Sequence, residues 1–339
     1  MSNQFVWENK VDPKPIVLTV ALPALNAEKI IWIALKSLSY QENVTFGWEL
    51  IVWEEYGKSL DIIKSFVGNF PNCQRIVHKN INPSVEGRKS GKFKGKFLLI
   101  DKWIGMAKQA SATSKIFVLH AADCYSSPQR LYIHNTHFKN KTCLFSTQPK
   151  GIFYNIVNGK SILYNGYNTD TKPLKRTHLN MALLTNDMKK IKTIEINKKI
   201  DKYILENVRK LNKLSKTHSG HIFSDETVNS INWKYSLDTD GYNNISLSRT
   251  VYYDNIRKPF QHNTINLTRH IPGEILLYLN DLKKFKYPKY INIYNKIRIR
   301  TVYKCKVIKF VEKIYNDEII NSSEFDSFKK YVKTINYLK

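Results

Sequence analysis

The feature that most constrains this chain is an alternation, between residues 16 and 131, of short apolar runs with segments of helical spacing. Runs of that length read as strands and the segments between them as helices. Their strict alternation, with short polar turns, is the pattern of a mainly parallel sheet covered by helices on both faces. The expected strands are residues 16–21, 48–53, 75–78 and 116–119; the expected helices are 27–38, with Asn26 as N-cap, 59–67 and 97–110. In such a sheet ligands bind where strands end. The centre of interest is therefore K-I-F-V-L-H-A-A-D-C-Y-S-S-P-Q-R-L at 115–131. Four apolar residues stop at a polar turn carrying His120, Asp123 and Cys124, and Pro128 opens a further helix, where its missing N–H costs nothing.

The pattern changes after this turn. Residues 142–147 and 178–185 read as strands, and 152–164 as a hairpin around Asn158-Gly159, a pair suited to a type I′ turn. A lysine-rich surface helix is expected over 201–214. Another should open at Ser224, with Asp225 and Glu226 in its first turn. From about residue 256 the chain becomes more basic; 273–285 and parts of 291–315 have helical spacing, although I-N-I-Y-N-K-I-R-I-R fits a strand equally. The sequence thus divides into residues 1–135, 136–255 and a basic C-terminal extension, 256–339.

Charge narrows the partners. Of 339 residues, 54 are Lys or Arg and 28 are Asp or Glu, a formal +26. That balance favours polyanions such as nucleic acid, an anionic membrane surface or acidic glycans, unless it records compositional bias alone. The four cysteines, Cys73, Cys124, Cys143 and Cys305, form no CxxC pair. This fits a reducing compartment and gives neither a disulfide framework nor a zinc knuckle. His134 with His137, and His218 with His221, are spaced i, i+3 but lack ligand partners for zinc. The first residues lack a signal-peptide pattern, and the apolar run at 16–25 is too short to span a bilayer and contains Pro23. A cytoplasmic location is expected, with no obligate protein partner.

P-A-L-N at 23–26 precedes a helix and S-L-S-Y-Q at 37–41. W-E-L-I-V-W-E-E at 48–55 is a hydrophobic strand ending in two acids. V-L-H-A-A-D-C-Y-S-S-P-Q-R-L at 118–131 is a strand, an acidic turn and a Pro-x-x-Leu helix start. Taken in order, these motifs resemble the family 2 glycosyltransferases, whose fold is called GT-A. The resemblance covers residues 16–131 in order and, more faintly, reaches Asp225 and Glu226. It implies a Rossmann-like α/β GT-A domain, with a nucleotide-sugar half, an acceptor half and the basic C-terminal extension, and an activity of hexosyl- or pentosyltransferase type.

The resemblance also implies roles. Pro23, Ala24 and Asn26, with Glu54 and Glu55, would hold the base and ribose of the nucleotide sugar; the alternative for the two glutamates is a solvated strand end. The basic loop at 88–96, ending at Lys96, would offer N–H groups and ammonium charge to a diphosphate, or be merely a solvated loop. It is not a P-loop, since no Ser or Thr follows Gly91-Lys92. Where the family has two aspartates flanking one residue, this chain has His120-Ala121-Ala122 followed by Asp123. A divalent metal, Mn²⁺ or Mg²⁺, would then rest on Asp123 with His120 as substitute ligand, or on Asp123 alone; Ala122 lines the same turn. Asp123, Asp225 and Glu226 are the catalytic candidates, one of the last two as general base for the acceptor hydroxyl or simply as helix-capping charge. The Q-x-x-R-W motif of processive synthases is absent. The expected acceptor leans to DNA with hydroxymethylated bases, the substrate of some phage enzymes, because positive charge pervades the chain. A bacterial surface glycan or lipid-linked sugar, with the extension on anionic membrane, is the alternative. The departure from the paired aspartates leaves a third reading, a non-catalytic binding protein on a degenerate transferase fold.

Overall fold

The structure is a computed structural model. It describes residues 4–25, 27–28, 31–55, 57–91, 93–122, 124–139, 143–147, 150–155, 161–165, 181–193, 200–213, 221–223 and 230–234. The chain forms two compact units, one of Met1–Tyr154, Leu163–Trp233 and Ile265–Leu277, the other of Asn155–Ile162, Lys234–Thr264 and Tyr278–Lys339. The candidate site lies in the first.

The elements are, in order, β1 (Gln4–Glu8), β2 (Ile16–Leu25), α1 (Ile31–Ser39), β3 (Gly47–Glu55), α2 (Leu60–Ser65), β4 (Cys73–Ile81), α3 (Pro83–Glu86), α4 (Leu99–Gln109), β5 (Ile116–Leu119), β6 (Cys124–Ser126) and α5 (Arg130–Lys139). There follow β7 (Phe145–Thr147), β8 (Lys150–Asn155), β9 (Ser161–Asn165), β10 (Ala182–Leu184), α6 (Thr185–Lys190), α7 (Ile200–Leu211), β11 (His221–Phe223) and β12 (Ser230–Lys234). No described helix is long and apolar enough to cross a membrane.

The main sheet has the order β1-β4-β3-β2-β5-β10-β7-β11. Its centre, β4-β3-β2-β5, is parallel, whereas β1 and β10 join antiparallel. This is the α/β, mainly parallel sheet that the alternation of residues 16–131 implies. Strands buried on both faces read as continuous apolar runs, and β2 and β3 are buried over most of their lengths. From β2 through α1 and α2 the chain steps outward to β4; through α4 it crosses back to β5 on the far side of β2. Right-handed crossovers in opposite directions put their helices on opposite faces. One face packs Ala21, Ile51, Val77, Phe117 and Leu119 against Trp103, Ile104 and Met106 of α4 and Ile204 and Val208 of α7. The alternate strand residues, among them Leu18, Val20, Leu50 and Val52, are equally buried, as period-2 alternation requires.

The reversal of direction at β2 matters for function. Strand β5 pairs with β2 only as far as Ala21 opposite Leu119, whereas β3 stays paired with β2 to Leu25 opposite Glu55. Beyond Ala21, β2 is therefore bounded on one side by the turn that follows β5. Pro23 is tolerated there because its missing N–H falls on that unpaired side.

Some expectations are corrected. Helix α1 is described from Ile31, whose N–H donates to the Ala27 carbonyl (2.8 Å) in the i to i−4 spacing of an α-helix; residues 26, 29 and 30 lie outside the described residues. Residues 230–234 form strand β12, not the continuation of a helix from Ser224: Ser230, Ile231 and Asn232 pair antiparallel with Ser126, Tyr125 and Cys124. The segment S-I-N-W-K has few strong helix formers, so an available partner strand decides its form. That partner, β6, was itself expected to be part of a turn. Strand β1 and the short helix α3, with Asn82 accepting from Ser84 N, were not anticipated. Helix α7 is no mere surface element, because Ile204, Leu205 and Val208 are buried. The hairpin turn at Asn158-Gly159 and the helices expected beyond residue 256 lie outside the described residues.

Candidate functional site

The site is built where β2, β3 and β5 end. Glu54 and Glu55 point to opposite faces, as successive strand residues must, and neither is a solvated strand end. Glu54 is wholly buried. Its Oε1 accepts from Ser59 Oγ (2.5 Å) and its Oε2 from Ser59 N (3.2 Å) and His78 Nε2 (3.0 Å). A buried carboxylate is stable only when so satisfied. The intervening residue Gly57 makes this geometry feasible, since a Cβ there would stand 1.7 Å from Glu54 Oε1. Ser59 thus spends its hydroxyl on Glu54 and makes no side-chain cap for α2.

Glu55, on the other face, pairs with Lys102 of α4 (Oε1 to Nζ, 2.5 Å), and Lys102 Nζ also donates to the Ala24 carbonyl (3.3 Å). One buried lysine therefore ties the ends of β2 and β3 to α4, and the register sets Ala24 opposite Glu54. Pro23, Ala24, Glu54 and Glu55 lie at the paired ends of β2 and β3. Lys102 was missed, although a lysine among the apolar residues of L-I-D-K-W-I-G-M signalled an internal partner.

The turn after β5 is fixed by a buried polar chain. His120 N donates to the Ala21 carbonyl (2.9 Å). His120 Nδ1 lies 2.8 Å from the Ala121 carbonyl and must carry the proton; Nε2 then accepts from Ser126 Oγ, 2.8 Å away. Arg130 Nη1 donates to the same Ser126 oxygen (3.0 Å) and Nη2 to the Leu119 carbonyl (2.7 Å), while Nε faces His134 Nε2 at 3.4 Å. His134 Nδ1 bonds Ser146 Oγ (2.7 Å). Burial, with the nearby Arg130 cation, lowers the His120 pKa to about 3 and holds His134 well below the usual imidazole range. Burial lowers Arg130 to about 10, so it stays a cation at neutral pH. Among the described residues, no carboxylate lies within ion-pair distance of it.

The stretch S-L-S-Y-Q braces this turn from outside. Ser37 Oγ accepts from Ser126 N (3.0 Å), and Gln41 bridges the Ser127 carbonyl (2.7 Å) and Leu131 N (3.0 Å). In the loop at 88–96, of which residue 92 lies outside the described residues, backbone bonds join the two ends. Arg88 grips Asp101 in a bidentate pair (2.8 Å twice), its N–H donates to the Lys96 carbonyl (3.0 Å), and its carbonyl accepts from Gly95 N (2.8 Å). Gly91 and Gly95 take the positive φ that its turns need. Lys96 is exposed, and its recorded contact is with the Phe93 ring, 6.0 Å away, not with the strand ends.

The donors at the turn after β5 bear on the metal expectation. His120 has both nitrogens engaged by protein groups, the Ala121 carbonyl and Ser126 Oγ. Ala121 and the buried Ala122 offer no side-chain ligand. Among the described residues, no three His, Cys, Asp or Glu side chains converge. Asn26, Asp123, Asp225 and Glu226 lie outside the described residues.

No model of a known protein family matches the chain, and no curated protein matches it. Solved structures similar to it include S. aureus TarS, at 12% identity and TM-score 0.43, covering 86% of this chain and 47% of that one. Another is S. aureus TarS 1–349 in complex with UDP-GlcNAc, at 13% identity and TM-score 0.43, covering 94% of this chain and 80% of that one. A third is glucosyl-3-phosphoglycerate synthase from Mycobacterium tuberculosis with Mn²⁺, UDP and glucosyl-3-phosphoglycerate, at 12% identity, TM-score 0.44 and coverages of 70% and 79%. The chain thus spans about half of full-length TarS. These likenesses are distant, and the functional reading rests on the geometry of the strand ends.

Proposed function

We propose that the chain is a glycosyltransferase that moves a sugar from a nucleotide-sugar donor to an acceptor hydroxyl. One observation carries this reading. The sheet reverses its strand order between β2 and β5, and open α/β sheets bind nucleotides in the crevice at such a point. The P-A-L-N, W-E-E and H-A-A-D motifs of the family resemblance all fall at the strand ends around it.

In this reading the nucleoside lies across residues 23–26 and the end of β3. Glu54 acts by holding the turn through Ser59, and Glu55, steadied by Lys102, receives the ribose hydroxyls. Asp123 sits beside the donor diphosphate. Asp225 or Glu226 takes the proton of the acceptor hydroxyl as its oxygen bonds the anomeric carbon. The bond from that carbon to the diphosphate oxygen breaks, and the nucleoside diphosphate leaves. The base role belongs to an inverting reaction. Residues 1–135 would supply the donor half, 136–255 the acceptor half, and the basic 256–339 a surface for a polyanion.

The excess of basic residues favours a polyanionic acceptor with free hydroxyls. Hydroxymethylated duplex DNA and an anionic bacterial surface glycan both qualify. The test is nucleotide release from a panel of nucleotide sugars with each acceptor present. Release stimulated by one acceptor, with added hexose or pentose mass on it, supports the reading and names the acceptor. A panel that shows neither release nor nucleotide binding overturns it in favour of a degenerate fold.

A further inference from the structure

We propose that β1 is a self-association edge: it pairs antiparallel with β1 of a second copy of this chain, joining two eight-stranded sheets across a two-fold axis. This association does not depend on the donor reading above.

Strand β1 ends the sheet, with β4 on its inner side and, among the described residues, no strand on its outer side. In an antiparallel ladder, opposed residues alternate between pairs that exchange main-chain bonds and pairs that do not. Asn9 N donates to the Gln74 carbonyl (2.8 Å), one step beyond the Glu8–Arg75 pair of the β1–β4 ladder. Alternation from that bond turns the main-chain groups of Trp7 and Phe5 towards β4. It turns the N–H and carbonyl of Gln4, Val6 and Glu8 outward. A row of outward groups is a template for another strand, and natural edges are blunted with lysine, proline or a bulge. The edge Q-F-V-W-E carries neither Lys nor Pro, and its register with β4 runs unbroken over all five residues.

The residues of the strand select a second copy as its occupant. Only registers that oppose outward residues to outward residues form main-chain bonds, and the one centred on Val6 pairs all five residues of each strand. Shifted by one such step in either direction, the pairing leaves an end of each strand out. In the centred register Val6, 44% exposed, meets its own copy. Gln4 lies opposite Glu8 on both sides of the axis. Phe5 lies opposite Trp7 in the closer, non-bonded pairs, where aromatic side chains meet. Both rings are only half-buried by their own chain. Charge agrees with this choice. The chain holds 54 Lys and Arg, yet β1 has none, so it suits a polyanion poorly. Its one charge, Glu8, faces an amide rather than a second carboxylate. Gln4 Oε1 accepts from Gln109 Nε2 (3.2 Å), so the NH2 group of Gln4 is the end that donates to Glu8 of the second copy. The edge is far shorter than the roughly 20–30 residues a side of a standard interface, and the dissociation constant is expected on the order of 10–100 μM.

Sedimentation velocity of the full chain between about 1 and 200 μM tests the proposal. The expected result is a reversible monomer–dimer equilibrium, and a single monomeric species over the whole range overturns it. Val6→Pro assigns the edge. The N–H it removes points away from β4, so the β1–β4 bonds survive while the outer edge is blocked. Dimerisation should weaken by about tenfold or more, with the urea midpoint unchanged. A dimer of unaltered affinity in Val6→Pro lies elsewhere on the chain and overturns the assignment. Gln4→Lys sets an ammonium opposite each Glu8 and should tighten the dimer by about threefold or more at low salt. Adding Glu8→Lys opposes like charges and should weaken it below the unaltered chain. The reverse order, or no change in either, overturns the register. Gln4 and Glu8 are both exposed, so where Val6→Pro does not fold these two variants decide.

Discussion

Replacing Lys102 with Met tests how the ends of β2 and β3 are held. The aliphatic stem keeps its packing, whereas the ammonium that bridges Glu55 and the Ala24 carbonyl is lost. The two side chains are only 7% and 10% exposed, so solvent screens their attraction little. Removing one member of a buried pair costs about 3–5 kcal/mol, mostly the cost of stranding the other charge. The residual exposure of Glu55 and the long Ala24 contact put the expected loss near the lower end, about 3 kcal/mol. The double variant Lys102→Met, Glu55→Gln strands no charge and should lose only about 1 kcal/mol, about 2 kcal/mol less than Lys102→Met alone. Urea unfolding followed by tryptophan fluorescence, with unchanged slope, reads both values. Single and double variants of equal stability would refute the reasoning, since Glu55 would then have been solvated by some other route.

Two further perturbations probe the neighbouring groups. Gly57→Ala places a Cβ where the Glu54 carboxylate lies, so the carboxylate must leave Ser59 and His78. A loss of about 2–4 kcal/mol is expected, larger than for Ser59→Ala, and thermal unfolding of the two variants checks the order. Acidification should destabilise the fold through His120 and His134, which are held neutral when folded but titrate near the ordinary imidazole value when unfolded. Between pH 6.5 and about 3 the unfolded chain binds more protons. Stability is therefore complete above the unfolded pKa and falls as pH drops through that window. At pH 5.5 each histidine removes about 1.4 kcal/mol. A urea midpoint that is the same at pH 7.5 and pH 5.5 would contradict this.

What was legible in the sequence, and what was not, follows from the range of the forces involved. Strands β2, β3 and β5 announced themselves because a doubly covered parallel strand is apolar throughout. The site's position followed from topology, since the turns after β2 and β5 flank the reversal of strand order. The partners inside the site were hidden. Nothing local to Glu54 or Glu55 reveals His78 or Lys102, which reach them from other elements. Arg130 read only as part of a helix start, yet it is the cation beneath the turn. Nor does the sequence show that Ser126 engages the second nitrogen of His120. The helix expected after Ser224 gave way to β12 because its partner, β6, is three residues long and buried in what read as a turn.

The central claim is that a nucleotide sugar lies across the ends of β2, β3 and β5. Hydrogen–deuterium exchange with and without a bound nucleoside diphosphate tests it most directly. Exchange should slow in peptides covering residues 18–28, 54–60 and 117–127 together, with β1 and α7 unchanged. Protection confined to other parts of the chain, with these three peptides unaffected, would contradict it.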